Sequence, residues 1–144
     1  RLNSAGRIRE LLQMRRIILA SGTIISTLAH QGGKVQACER KAFFEFVEDY
    51  EKRYEIPQPD VTFLLDIPPD PHVLEQVVFC NHREKFFDRE EDNPAHLLRS
   101  IESINYYASL RSDRLHRIAA VENGMPHQLY SLSEILLRLI KERL

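Results

Sequence analysis

The sequence predicts an α/β fold in which helices cover both faces of a parallel sheet. Two observations carry that expectation. First, three short apolar runs are rich in β-branched residues and lack polar alternation: Ile17-Ile18-Leu19-Ala20, Val61-Thr62-Phe63-Leu64-Leu65 and Arg117-Ile118-Ala119-Ala120-Val121. Such runs suit strands buried on both faces. Second, stretches of helical period separate the runs, which is the order of a parallel sheet with crossover helices. The 144 residues are enough for one domain, 1–144, with a single core.

In chain order, Ile8, Leu11, Leu12 and Met14 among arginines predict an amphipathic helix over residues 7–14. Only Arg15-Arg16 then precede the strand expected at Ile17–Ala20, a tight connection for a helix and a parallel strand. Ser21 to Gly33 reads as a loop leading to a helical turn closed by Gly32-Gly33. From Glu39 the positions Phe43, Phe46, Val47, Tyr50 and Tyr54 recur at helical spacing and predict a helix with one apolar face, ended by Ile56-Pro57. That stripe is expected to be core or interface.

After the second strand a short helix is expected over His72–Val78, followed by a charged surface segment from Asn81 to Asp92. Pro94 suits the first position of a helix to about Leu110, with Leu97, Leu98, Ile101 and Ile104 inward. The last helix is expected to start at a capping box, Ser131-x-x-Glu134, ahead of Ile135, Leu136, Leu139 and Ile140.

Apolar residues at 43% and charged residues at 28% are the balance of an ordinary globular protein. A net charge of -1 gives no reason to expect a nucleic acid or an anionic membrane as partner, so an anion site has to be a local group of basic residues. Neither a signal peptide nor a long apolar run is visible, which predicts a cytoplasmic protein. Cys38 and Cys80 form no framework and are expected to be reduced thiols. None of the histidines has metal-ligand spacing; His72, His82, His96, His116 and His127 read as structural or exposed.

In an open parallel sheet, ligands bind beyond the carboxyl ends of the strands. That edge gathers Ser21 to Gln31, Asp66 to Asp70 and Glu122 to His127, with the charged segment at about 81–93 placed to fold over them as a lid. Asp66 either approaches a metal or sugar there or caps the following turn.

The order of motifs resembles the thymidylate kinase family. Pro59-Asp60-Val61-Thr62-Phe63-Leu64-Leu65-Asp66-Ile67-Pro68-Pro69-Asp70 is close to that family's PDLTxxLDxPPE. Ser26-Thr27-Leu28-Ala29-His30-Gln31-Gly32 is similar to its SSLAYQG, with His30 in place of Tyr. Ile8-Arg9-Glu10-Leu11-Leu12 resembles IRELL, Asp88-Arg89-Glu90-Glu91 the DRxE of the lid, and Tyr106-Tyr107-Ala108 a YxxLA pattern. Each motif is weak alone, and together they run in order from Ile8 to Leu144.

The resemblance implies a three-layer α/β/α fold of the P-loop nucleoside-triphosphate-hydrolase type, incomplete at its N-terminal end. It implies transfer of the γ-phosphoryl group of ATP to dTMP, with Mg²⁺, in a homodimer. Ser26, Thr27, His30 and Gln31 match positions around the nucleotide base, while Arg83 and Arg89 match lid positions that face phosphates. Polar side chains can pair with a base edge, and arginines donate forked hydrogen bonds to phosphate.

The chain also departs from the family. GxxxxGK followed by Ser or Thr occurs nowhere, and Ser21-Gly22 stands where the family has Asp-Arg. Gln76 replaces an arginine after the PP turn. The family's long helical stretch after IRELL, with an aromatic and an arginine that hold the base, has no counterpart beyond Arg15-Arg16. Either a segment is missing at that join or a core helix has been deleted; the opening on Arg1 leads us to expect further residues ahead of it. A non-catalytic nucleotide-binding or dimerisation module, and a kinase for another nucleotide or small acceptor, remain as alternatives.

Overall fold

The computed structural model describes residues 2–21, 23–81, 93–111, 115–122, 125–126 and 129–142. Helices and strands are mixed: α1 (Ala5–Gln13), α2 (Ile24–His30), α3 (Arg40–Arg53), β1 (Thr62–Asp66), α4 (Pro71–Asn81), α5 (Pro94–Leu110), β2 (Leu115–Ala119), β3 (Val121–Glu122), β4 (Met125–Pro126) and α6 (Leu129–Lys141). β1 and β2 form a parallel pair in the register Thr62↔Leu115 to Asp66↔Ala119. The short β3 and β4 pair antiparallel. No helix among the described residues is long and apolar enough to cross a membrane.

Local chemistry explains several boundaries. Asn93 caps α5 by accepting from the His96 amide at 3.1 Å, and Pro94 fills the first helical position, where a missing N–H costs nothing. Asp70 Oδ1 accepts from the His72 amide at 2.8 Å where α4 begins. α1 and α3 both end in paired bonds of Schellman type. Arg16 N donates to Leu11 O at 3.0 Å and Arg15 N to Leu12 O at 2.9 Å; Ile56 N donates to Glu51 O at 2.9 Å and Glu55 N to Lys52 O at 3.0 Å. The left-handed residues are Arg15 at φ 54 and Glu55 at φ 48, positions where glycine is the usual occupant. A left-handed non-glycine residue costs about 1–2 kcal/mol. Glu55→Gly is therefore expected to stabilise the fold by about 0.5–1 kcal/mol in urea unfolding, part of the relief being offset by the looser unfolded chain.

The core runs between α2, α3, α5 and β2, built from Ile24, Leu28, Phe44, Val47, Ile104, Tyr107, Ala108 and Leu115. α2 and α5 meet closely because Gly32 and Gly33 face small residues of α5. A Cβ on Gly33 would lie 2.9 Å from the Ser100 amide nitrogen, and one on Gly32 would collide with the Leu28 carbonyl oxygen and Ser103 Oγ. Ser103 is fully buried and donates to the Leu28 carbonyl at 2.7 Å, tying the two helices together.

Three sequence expectations need correction. Residues 17–20 form no strand: Ile17 is 65% and Leu19 80% exposed, since no neighbouring strand among the described residues pairs with them. The strand at β1 is not buried on both faces: Leu65 is exposed, on a side that no helix among the described residues covers. Of the stripe expected to be core or interface, α3 buries Val47, along with Arg40, Phe44 and Glu51, while Phe46, Tyr50 and Tyr54 are exposed. Ser131 is the third residue of α6, inside the helix, so it is not the cap.

Candidate functional site

Helix geometry assembles the predicted base-contacting residues. Ile24 and Leu28 bury one side of α2. Ser26 and His30 lie one turn apart along another side, with Thr27 and Gln31 as the adjacent pair. All four therefore sit on two neighbouring rows of one short helix. Ser26 and Gln31 are exposed; Thr27 and His30 are half-buried. The Gln31 amide donates to Thr27 O at 2.9 Å, which continues the helix and fixes its last turn.

Next to this row the structure places a residue that the sequence did not assign to a site. The His96 ring stacks on His30 with centroids 5.8 Å apart and planes inclined by 27°. His96 is only 4% exposed. Ser100, one turn along α5, donates its hydroxyl to the His96 carbonyl at 2.9 Å and lies 3.4 Å from Nε2 of the same residue. A signal for this pair existed: His96, Ser100, Ser103 and Tyr107 recur at spacings of four, three and four. The apolar residues of α5 drew attention to Leu97, Leu98 and Ile101, which are only half-buried.

At the carboxyl end of β1, Asp66 neither caps the turn nor stands open to a cation. Arg117 donates to both its oxygens, from Nε at 3.1 Å and from a terminal nitrogen at 2.7 Å. The same terminal nitrogen reaches Asn105 Oδ1 at 2.7 Å. This forked pair ties Arg117, opposite Leu64 in the middle of β2, to Asp66 at the end of β1, and the Ala120 amide adds a bond to Asp66 O at 2.9 Å. The turn cap falls to Asp70 instead.

Arg83 and Arg89, with the expected lid at about 81–93, fall outside the described residues except for Asn81 and Asn93 at its two ends. Among the described residues no group of three or more His, Cys, Asp or Glu could hold a metal ion. The paired glycines at 32–33 are packed against α5, so their backbone is not open to a phosphate. A cavity of about 550 Å³ lies between α5, β2 and α6, lined by Asn105, Ala108, Leu115, Arg117 and Leu139 among others, and includes none of the α2 residues. No family model, no curated protein and no solved structure matches the chain.

Proposed function

We propose that the chain belongs to a thymidylate kinase-like nucleoside monophosphate kinase of P-loop, three-layer α/β/α type, and that it carries the side that binds the phosphoryl acceptor. The reaction is transfer of the γ-phosphoryl group of ATP to dTMP, giving dTDP. The observation that carries the proposal is the α2 cluster, where Ser26, Thr27, His30 and Gln31 lie on neighbouring rows of one helix, as a base-binding set requires. The ordered motifs and the parallel β1–β2 pair support it. ATP and Mg²⁺ need a phosphate cradle, and no GxxxxGK followed by Ser or Thr occurs in the sequence; among the described residues β1 pairs with β2 alone, and its other edge and the exposed apolar run Ile17–Ala20 leave room for further strands. A coupled assay on the full gene product with ATP, Mg²⁺ and dTMP is expected to show turnover, with none after removal of dTMP; no turnover at any dTMP concentration sinks the kinase.

A second function, nucleotide binding without catalysis, is favoured by Ser21-Gly22 at the place of the family's Asp-Arg. Binding of dTMP with no ATP hydrolysis or transfer marks that outcome.

We also propose a homodimer built on the outward aromatic row of α3. Phe46 is 67% exposed, and Tyr50 and Tyr54 follow at intervals of four, their rings 4.5 Å apart. Exposed aromatic rows of this kind mark protein contacts. Phe46→Glu is expected to convert the dimer to monomer in analytical ultracentrifugation without loss of helicity. A wild-type monomer at all concentrations contradicts it.

A further inference from the structure

We infer that His96 is a positioning residue for His30, fixing the plane and edge that His30 presents to a nucleotide. The inference rests on the nucleotide assignment of α2 proposed above. His30 sits in the last turn of α2, where the side chain of a half-exposed residue is free to choose among rotamers. Stacking restricts that freedom: the His96 ring lies against His30 with centroids 5.8 Å apart and planes inclined by 27°.

The support behind His96 is rigid. Its backbone is locked by the Asn93 cap, and it is 4% exposed. Ser100 has one hydroxyl proton, and it is given to the His96 carbonyl at 2.9 Å. Its oxygen also lies 3.4 Å from His96 Nε2, so the ring edge rests against Ser100. Gly32 and Gly33, directly after His30 and Gln31, hold the end of α2 against Ser100 and Ser103, so the two rings keep a fixed separation. A base-contacting imidazole backed in this way has its orientation set before the ligand arrives.

The test compares His96→Ala, His96→Phe and Ser100→Ala in the full chain. Two readouts are used: the His30 imidazole resonances without ligand, assigned through His30→Gln, and calorimetric titration with dTMP. His96→Ala is expected to shift the His30 resonances and weaken dTMP binding by about three- to ten-fold. His96→Phe, which keeps a ring face against His30, is expected to bind within about two-fold of wild type. A role confined to helix packing predicts instead that affinity follows thermal stability across the three variants. A folded His96→Ala chain with unmoved His30 resonances, or with wild-type dTMP affinity, overturns the inference. The ligand-free resonances decide the pairing even if wild type binds no dTMP, a result that would count against the nucleotide assignment alone.

Discussion

Gly32→Ala is expected to destabilise the fold by about 3–5 kcal/mol, measured by urea unfolding. A methyl group there collides with the Leu28 carbonyl oxygen on one side and with Ser103 Oγ on the other. The serine can rotate away, but only by giving up its 2.7 Å bond to that same carbonyl, and the carbonyl belongs to the helix backbone and cannot yield. The double variant Gly32→Ala, Ser103→Ala is expected to recover only part of the loss. Gly6→Ala is the control. A Cβ at Gly6 meets nothing within 4 Å, and the residue lies inside α1, so alanine should add about 0.5–1 kcal/mol through helix propensity. Equal effects at the two glycines would mean that α2 and α5 are not packed as described.

Glu48→Ala carries the second largest expected effect, about 2–3 kcal/mol. The Glu48 carboxylate, with its side chain 13% exposed, accepts from the Tyr107 hydroxyl at 2.8 Å. It also accepts from Arg111, through Nε at 3.1 Å and a terminal nitrogen at 2.9 Å. Tyr107 is buried in the core, edge-on to Phe44 with centroids 5.4 Å apart. Removing the carboxylate takes away the acceptor of the Tyr107 hydroxyl bond and of two Arg111 bonds at the end of α5. The arginine is about one-third exposed, so water recovers part of its loss, which places the estimate below that for a fully buried pair. Glu48→Gln, which keeps one acceptor, should lose about half as much. Equal stability of Glu48→Ala and wild type would show that the cluster does not anchor α3 to α5.

Helices were legible in the sequence wherever one local signal decided them. Pro94 marked the start of α5, and the period of apolar residues marked α1 and α3. β1 and β2 were legible as β-branched runs, and their parallel pairing follows from the helices between them. What failed needed knowledge of a neighbour. Ile17–Ala20 has strand composition, yet a strand exists only when another accepts its hydrogen bonds, and none among the described residues does. On α3, the apolar stripe contained both inward Val47 and outward Phe46; the inward side is the one where Phe44 and Val47 join Ile104, Tyr107 and Ala108 of α5 in the core and Glu48 bonds Tyr107.

The candidate site was legible to the same extent. Ser26, Thr27, His30 and Gln31 were singled out through their order within one motif, and helix period places them on neighbouring rows. His96 was read as structural or exposed because a lone histidine carries no pattern. Its place against His30 depends on the close approach of α2 and α5 allowed by Gly32-Gly33. Asp66 was weighed as a metal or sugar contact without Arg117, its partner 51 residues along the chain.

The proposed role of α2, receiving a nucleoside monophosphate on its polar side, is put to the test by calorimetric titration of the full gene product with dTMP. Saturable binding that weakens by about ten-fold or more in Gln31→Ala, with the fold intact, is the predicted result, as loss of a hydrogen bond to a buried base edge requires. Absence of binding in wild type, or binding that Gln31→Ala and Thr27→Ala both leave unchanged, would contradict it.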